Sequence, residues 1–255
     1  EMRDAKEYGS ILNITPVDCT GLYARFDEIR EDINMMQMSA LDELLPLVKC
    51  AELLAQKYDV VVTNPPYLGK GMGDALKAYI EVHYPNTKGD CMATFMERCL
   101  DLCEFNGKMG MINQDSWMFT VTYEDFRREL LSSDVHIDSL IHLGPHAFAE
   151  IGGEKVKSVT FILANCKIDS RGIYINVYDY KKHFEKESYA LKAIKNTACP
   201  WRFVVNQTSF DGIEGNPISF WGSDKIYETY TMHDSSAHGL RLVCKRLVST
   251  IQMPR

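Results

Sequence analysis

The chain has 255 residues, 45% of them hydrophobic and 25% charged, which is the composition of an ordinary globular protein with a sizeable core. Its formal net charge of −7 argues mildly against a nucleic-acid partner, because phosphate contacts need lysine and arginine, although a local basic patch would supply them. No run of about 18 uncharged apolar residues occurs and no signal-peptide pattern opens the chain, so we expect a cytoplasmic protein without a membrane segment.

The N-terminal part of the chain, up to about residue 55, has the apolar spacing of helices. Its leucines and Val48 recur at helical intervals, and it contains no convincing strand. The pattern changes at Tyr58–Thr63, a β-branched run that does not alternate. Such a run predicts a strand that is buried on both faces of a sheet.

The next segment reads as a loop, a helix and a second strand. A glycine-rich stretch at 69–73 predicts the loop. A helix begins near Asp90, a residue type that suits the N-cap position. Asn106-Gly107 then predicts a turn, and residues 108–113 predict the next strand.

The remaining core alternates between helix and strand. The pattern indicates a loop with Trp117, then a helix and three strands at residues 123–131, 135–143, 157–164 and 172–178. This order is typical of an α/β protein with a mostly parallel sheet that an antiparallel hairpin completes. Beyond about Lys186 the pattern weakens, and a short helix is expected to begin at Ser223.

The cysteines and histidines predict no metal site. The eight cysteines are spread along the chain and several lie in apolar runs, which indicates reduced thiols in the core. Cys99 and Cys103 are one helical turn apart, but no second pair follows at zinc-site spacing. His142 and His146 are the closest histidine pair, and the Gly-Pro dipeptide between them excludes a shared helix.

Four groups of basic residues are candidates for a patch that contacts phosphates. Each is more often a solvated surface than a nucleic-acid contact. They are Arg127 with Arg128, Lys155 with Lys157, Lys181 with Lys182, and Arg241 with Lys245 and Arg246.

The strand at 58–63 runs directly into Asn64-Pro65-Pro66-Tyr67, and this sequence has a specific chemical meaning. The exocyclic amine of adenine is a poor nucleophile, because its lone pair is delocalised into the ring. Two acceptors that hold both N–H hydrogens draw the nitrogen towards tetrahedral geometry, and the side-chain oxygen of Asn64 and the carbonyl of Pro65 suit this role. The prolines fix φ and keep the preceding residues extended, which aims the two oxygens.

Tyr67 offers a flat face on which a base can stack. A base inside a duplex is out of reach, so the target must be flipped out, and an aromatic platform compensates for its lost stacking. The simpler alternative is a strand that ends in a rigid turn. Asn-Pro-Pro occurs by chance in roughly a few per cent of chains of this length, and the flanking aromatic and β-branched residues make coincidence rarer, so the functional interpretation is favoured.

The run Val61–Tyr67 resembles the catalytic motif of amino-methylating DNA methyltransferases. The wider span Tyr58–Ala164 resembles, in particular, the BREX (phage-growth-limitation) adenine methyltransferases and related type II restriction-modification enzymes. As in those families, a helix opens with an aspartate, here Asp90, and a strand ends in a polar loop with Trp117. A loop bearing Phe148 then precedes the final strand.

The resemblance implies a Rossmann-like class I methyltransferase sheet that is incomplete at its N-terminus. It implies transfer of a methyl group from S-adenosyl-L-methionine to the N6 amine of a flipped-out adenine in double-stranded DNA, within restriction-modification or phage defence. Residues 64–67 are then catalytic, and Phe148 packs against the adenine opposite Tyr67. Asn64 and Asp90 are expected to contact the cofactor, although a helix cap is the preferred role of Asp90. Other defence-system subunits are expected as partners.

One part of the family pattern is missing from this sequence. Family members carry a glycine-containing turn and an acidic residue that hold the cofactor, normally before the Asn-Pro-Pro-Tyr strand, and neither is found here. We therefore interpret the chain as an N-terminally truncated fragment that is inactive alone. We predict a catalytic domain at 1–185, with a helical lead-in at 1–55 and a core at 56–185. Residues 186–255 are predicted to begin a linker or target-recognition region.

The glycine-rich loop lacks the spacing of phosphate-binding loops. In the resembling enzymes a mobile loop stands at this place. We interpret it as a flexible lid near the DNA, with Lys70 contacting a phosphate, or as a plain surface loop.

Two other functions compete with this interpretation. A protein-glutamine or RNA methyltransferase faces the same chemical problem, since glutamine amide and guanine amine nitrogens are also poor nucleophiles. A non-catalytic DNA-binding or assembly subunit is the other alternative, because the cofactor turn is missing. The long insertion after Tyr67 and the segment past Lys181 favour a DNA-modifying enzyme.

Overall fold

A computed structural model describes most of the chain. The described residues are 2, 4–31, 35–148, 156–166, 168 and 170–222, without the side chains of 35 and 36. The helix expected at Ser223, the candidate Lys155 and the basic set at 241–246 lie outside these ranges. None of the described helices combines the length and the apolar character that crossing a bilayer requires.

The described residues form seven α-helices. They are α1 (Ala5–Tyr8), α2 (Thr20–Glu31), α3 (Met35–Ala55), α4 (Asp74–His83), α5 (Cys91–Asp101), α6 (Glu124–Ser132) and α7 (His183–Lys195). Three of them precede the first strand, within the stretch up to residue 55 where the sequence predicts helices.

Six strands form one sheet, in the order β1-β2-β4-β3-β5-β6. They are β1 (Tyr58–Thr63), β2 (Cys103–Gln114), β3 (His136–Gly144), β4 (Ser158–Ala164), β5 (Gly172–Asn176) and β6 (Arg202–Val205). β3 pairs in parallel with β5 and antiparallel with β4, and β6 is antiparallel to β5. The α/β class and the antiparallel hairpin of β3 and β4 are confirmed.

β1 has the predicted bounds but not the predicted burial. Val60 is 62% exposed and Val62 is 74% exposed, and β1 is the outermost strand at one end of the strand order. The prediction that this run is buried on both faces is therefore wrong for the described residues. Its lack of alternation reflects the strand preference of β-branched residues, which does not require burial.

β2 begins at Cys103, so the turn predicted at Asn106-Gly107 is also wrong. Both residues lie inside the strand, where Asn106 has a φ of 67°. A Cβ on Gly107 would lie 3.0 Å from the carbonyl oxygen of Tyr58. Asn106 therefore occupies a left-handed backbone position and Gly107 allows a close approach to β1, and neither residue reverses the chain.

Three elements were not expected from the sequence. α4 lies where the sequence predicts only a loop, and α7 and β6 lie where the pattern weakens. The buried face of α7 explains its weak signal, because it consists of Lys186, Ala190 and Ala193. Two small residues and a lysine do not form the apolar stripe by which a helix is usually recognised.

The chain divides into two compact units. The first comprises 1–62 and 68–109, and the second comprises 63–67 and the chain from Gly110 onward. In the first unit a buried cluster joins Ile11, Ile80, Tyr84 and Cys91. In the second unit α7 packs against the sheet through a cluster of Ile175, Val177, Ala190, Ala193 and Cys199. The boundary expected between 185 and 186 stays a prediction.

The described cysteines are free thiols, and five of them are buried. Burial raises the pKa of Cys99 to about 12 and that of Cys103 to about 11, so both remain protonated near neutral pH. The expectation of reduced core thiols is confirmed for these five. Cys50 is exposed and does not belong to the core.

Arg127 is a buried hydrogen-bond donor to several backbone carbonyls of the second unit. Its side chain is 1% exposed, and its guanidinium donates to the carbonyls of Trp117, Thr120, Gly215 and Asn216 over 2.6–3.1 Å. Burial lowers the pKa of Arg127 to about 10, which still leaves it charged near neutral pH. Its candidacy for a phosphate-binding patch is therefore wrong, since the guanidinium is buried and hydrogen-bonds to the protein backbone.

The neighbouring arginine provides a matched comparison. We expect Arg127→Leu to lower the free energy of unfolding by about 3–5 kcal/mol, because it leaves four carbonyls without their buried donor. Arg128 is exposed and pairs with Glu124 and Asp125, so Arg128→Leu should cost less than about 1 kcal/mol. Chemical denaturation of the two variants measures the difference, and equal costs would contradict the role assigned to Arg127.

Candidate functional site

The Asn-Pro-Pro-Tyr motif lies directly after β1 and has no regular secondary structure. Asn64 and Pro66 are exposed, Pro65 is buried and Tyr67 is half-buried. The asparagine side chain is therefore accessible to a ligand, whereas the proline that follows it is packed inside the protein. A site that binds a substrate amine requires this accessibility, and a sealed Asn64 or Tyr67 would have excluded it.

The two functional side chains of the motif contact each other. The Tyr67 hydroxyl donates to Asn64 Oδ1 over 3.5 Å. This is the upper limit of a hydrogen bond, so the contact orients the carboxamide without holding it strongly. The acceptor that the sequence assigns to a substrate amine is thus occupied, weakly, by a group from the motif itself.

The residue after the motif is anchored to the start of α5. Leu68 donates its N–H to Asp90 Oδ1 over 3.0 Å, and its carbonyl accepts from the N–H of Cys91 over 3.4 Å. Both backbone groups of Leu68 are therefore satisfied by the same helix terminus. This anchor fixes the position of the chain immediately after Tyr67.

Asp90 is the N-cap of α5, as the sequence favours. Its Oδ1 also accepts from the N–H of Met92 over 3.0 Å, so one oxygen serves two backbone donors. Burial is the main influence on Asp90 and raises the pKa of its carboxyl, against the effect of the two N–H donors. A Cβ on Gly69 would lie 3.0 Å from Asp90 Oδ2, which leaves little room between the loop and the cap.

The glycine-rich loop is short and leads into α4. Lys70 is exposed in a turn, and α4 begins at Asp74. The exposed ammonium is available to a ligand, but nothing in its surroundings selects one. Its contact with a phosphate stays a prediction.

Phe148 lies four residues after the end of β3 and is half-buried. Residues 149–155, which follow it in the sequence, are outside the described ranges. The expectation that Phe148 faces Tyr67 across a base stays a prediction.

Sequence reasoning missed a buried pair in the second unit. His142 Nε2 lies 2.9 Å from Asp115 Oδ2, and the two residues are 4% and 9% exposed. A carboxylate only accepts hydrogen bonds, so Nε2 carries the hydrogen. Two cues were available: Asp115 directly follows β2, and His142 lies near the end of β3.

An open cavity of about 920 Å³ lies elsewhere in the first unit. Its lining comes mainly from residues 14–19 and 49–56. None of the sequence-predicted site residues lines it, so its size alone does not make it the active site.

The comparisons with known proteins agree with the motif. The family model of the Eco57I restriction-modification methylases matches residues 18–148. Adenine-specific methyltransferase PglX of Lacticaseibacillus casei (strain Zhang) is 36% identical over 188 residues, which are 73% of this chain and 16% of that protein. Adenine-specific methyltransferase BrxX of Escherichia coli O9:H4 (strain HS) is 33% identical over 223 residues, 86% of this chain and 18% of that protein. The chain thus spans less than a fifth of either relative.

A solved structure from a study of complex assembly in the type I restriction-modification system is also similar. It has a TM-score of 0.49 and 14% sequence identity, and the match covers 76% of this chain and 42% of that chain. The modification subunit of a putative type I restriction enzyme from Vibrio vulnificus YJ016 has a TM-score of 0.46 at 12% identity, over 61% of this chain and 35% of that one.

The anchor at Asp90 generates a test of stability. We expect Asp90→Ala to lower the free energy of unfolding by about 1–2 kcal/mol, because two backbone donors lose their acceptor. Asp90→Asn keeps an oxygen at the same place and should cost under about 0.5 kcal/mol. Asp74→Ala, in the first turn of α4, is the matched control and should also cost little. Urea denaturation gives the three values, and a cost for Asp90→Ala no larger than the control would contradict the double acceptor role.

Proposed function

Because the chain belongs to the family of Eco57I restriction-modification methylases, we propose that it is the catalytic part of a site-specific, adenine-N6 DNA methyltransferase. The reaction transfers a methyl group from S-adenosyl-L-methionine to the amine of an adenine that is flipped out of the duplex. The single observation that carries this proposal is the exposed Asn64 carboxamide at the proline-braced end of β1, beside the half-buried ring of Tyr67.

The chemistry at the amine follows from these residues. Asn64 Oδ1 accepts one N–H hydrogen of the adenine amine, and the carbonyl of Pro65 accepts the other. The nitrogen thereby gains tetrahedral character and its lone pair becomes available. The Tyr67 hydroxyl leaves Oδ1 at little cost, because its hydrogen bond is 3.5 Å long. The amine nitrogen would form its bond to the methyl carbon as the methyl–sulfur bond of the sulfonium breaks and a neutral thioether leaves. The methylated amine, then cationic, would release one N–H proton to solvent water.

The aromatic residues of the motif and of the β3–β4 loop have a separate role. The Tyr67 ring stacks on one face of the flipped base and Phe148 on the other. Stacking on an aromatic side chain is worth about 1–3 kcal/mol per base, which offsets part of the cost of extrusion from the duplex. Both residues are half-buried, so part of each remains accessible.

The residues present fit only part of a cofactor site. S-adenosyl-L-methionine supplies an electrophilic methyl group when it is bound. The exposed Asn64 side chain fits a polar contact to it. Asp90 fits the capping role better, since its Oδ1 accepts from the N–H groups of Leu68 and Met92.

The setting of the reaction follows from the family. We propose double-stranded DNA as the substrate, Lys70 as a phosphate contact, and restriction-modification or phage defence as the context, with other defence-system subunits as partners in the cytoplasm. The chain spans 16–18% of its curated relatives, so the complete enzyme is the form to assay. The polypeptide alone is proposed to be inactive, because one half of a pocket seldom supplies affinity.

The role of Asn64 is tested by Asn64→Ala in the full-length enzyme. Loss of one preorganised acceptor should lower the methylation rate by about 10²–10³-fold or more, with DNA binding unchanged. Asn13→Ala, an exposed asparagine in the first unit, is the matched control and should leave the rate unchanged. Transfer of radiolabelled methyl groups to duplex DNA measures the rate, with RNA and a glutamine-containing protein as alternative acceptors. Undiminished methylation by Asn64→Ala would exclude the proposed acceptor, and preferential labelling of RNA or protein would favour those substrates.

The role of Tyr67 is tested by separating its ring from its hydroxyl. Tyr67→Phe keeps the stacking face and should retain methylation within about threefold. Tyr67→Ala removes the face and should lower the rate by about 10–100-fold, in line with the loss of about 1–3 kcal/mol of stacking. Fluorescence of 2-aminopurine at the target position reports flipping in the same variants. Equal activity of the alanine and phenylalanine variants would contradict the stacking role.

A further inference from the structure

A surface of exposed lysines lies on α7 and directly before it, in the second unit. Between residues 171 and 205 the sequence has seven lysines and arginines but three acidic residues, whereas the whole chain has a net charge of −7. Four of these lysines are exposed and form two pairs, which we call the α7 lysines: Lys181 with Lys182, and Lys192 with Lys195 in the last turn. They make a local basic patch on an acidic polypeptide.

The acidic residues of the same segment leave most of this positive charge uncompensated. Lys186 is 2% exposed and donates to three backbone carbonyls over 2.5–3.0 Å. Burial lowers the pKa of Lys186 to about 8, and the negative charges of Asp179 and Glu185 act against this effect. Two of the three acidic residues thus stabilise a buried ammonium group, which leaves Glu187 beside four exposed ones.

The α7 lysines form no ion pair with any residue that the structure describes. The exposed arginines of α2 and α6 behave differently and pair with carboxylates three or four positions away: Arg25 with Glu28, Arg30 with Asp27, and Arg128 with Glu124. Lys192 and Lys195 have no acidic residue at those positions of α7. Their charges are therefore available to an anion from outside the chain.

Aromatic rings lie beside two of the ammonium groups. Lys182 Nζ is 5.5 Å from the centroid of the Phe184 ring, and Lys192 Nζ is 5.4 Å from that of Trp201. The indole N–H of Trp201 donates to the carbonyl of Tyr189 over 3.1 Å, which fixes that ring. Phe184 is 54% exposed. Lysines interleaved with accessible aromatic rings are typical of surfaces that bind nucleic acids.

The spacing of the two pairs along α7 suits the two edges of a DNA groove. Lys182 is the N-cap of α7, and Lys192 lies ten residues later, which is about 15 Å along the helix axis. Lys195 lies about 60° around the helix from Lys192, whereas Glu187 lies about 140° from it. The major groove of B-DNA is about 12 Å wide, so the two ends of α7 reach phosphates on both of its edges.

We propose that the α7 lysines are a contact surface for the DNA backbone, with one pair on each phosphate strand that borders a groove. The surface selects no sequence, because phosphate contacts fix position and carry no base information. The identity of the nucleic acid rests on the proposed function, whereas the basic patch does not. The surface contributes to DNA affinity and leaves the chemistry at Asn64 unaffected.

The experiment measures binding of the full-length enzyme to a fluorescent DNA duplex by anisotropy at several salt concentrations. Each lost phosphate contact lowers the slope of log affinity against log salt by about 0.9. Two double variants, Lys181→Gln with Lys182→Gln and Lys192→Gln with Lys195→Gln, should each lower the slope by about 1–2 and the affinity by about tenfold or more. The loss should be equal on duplexes of unrelated sequence, and kcat at saturating DNA should be unchanged while KM rises.

Two further double variants are the controls. Lys192→Arg with Lys195→Arg keeps both charges and should retain the slope and the affinity of the wild type. Lys6→Gln with Lys77→Gln removes two exposed lysines of the first unit and should leave both quantities unchanged. Thermal unfolding of all variants should remain cooperative, which separates lost contacts from lost structure.

The outcomes distinguish failure of this surface from failure of the proposed function. Unchanged affinity and slope in both glutamine pairs would overturn the surface, even if the wild type methylates adenine in DNA. Weaker binding to RNA or to vesicles of anionic lipid, with duplex binding intact, would also overturn it. If no protein methylates adenine but the glutamine pairs lose salt-dependent duplex binding, the proposed function fails and the surface is supported.

Discussion

Buried backbone carbonyls need donors, and in the second unit a few buried charged side chains supply them. Arg127 serves four carbonyls and Lys186 serves three, and each side chain is at most 2% exposed. The carbonyls belong to short helical turns, strand ends and loops, and those of Thr120 and Val177 also accept from the backbone N–H groups of Tyr123 and Tyr180. Each cation therefore supplies an irregular segment with hydrogen-bond donors of the kind that a helix obtains from its own backbone. These bonds give the loops around the sheet defined positions.

The candidate site depends on one set of residues that are adjacent in sequence and on several contacts between residues that are far apart in sequence. The motif at 64–67 is local, since two prolines and a tyrosine three residues from Asn64 determine its shape. Its continuation depends on Asp90, which is distant in sequence but holds Leu68 through two backbone groups. The buried pair of Asp115 and His142 spans 27 residues of the chain. Four consecutive residues thus determine the geometry of the acceptor oxygens of Asn64 and Pro65. The surfaces that would bind the base depend instead on residues that are far apart in the sequence.

This difference explains which features could be predicted from the sequence. Strand positions, the N-cap at Asp90 and the motif at the end of β1 carry local signals, and the structure has them where expected. α7 was missed because its buried face contains Lys186 instead of a large apolar residue. The prediction of a turn at Asn106-Gly107 was wrong because an asparagine with left-handed backbone conformation also occurs inside a strand, as it does here. The pair of Asp115 and His142 is separated by 27 residues, and no periodicity or spacing rule connects two such positions.

The two exposed valines of β1 have a consequence for handling the polypeptide. Val60 and Val62 stand on an outer strand, with 62% and 74% of their surfaces in water. An outer strand that lacks charged side chains at such positions offers a template to any extended peptide, and proteins usually protect it. Asp59 is the only charge within β1, so the strand has little protection of its own. We therefore expect this strand to lower the solubility of the polypeptide, and kosmotropic salts such as sulfate, which strengthen apolar association, to lower it further.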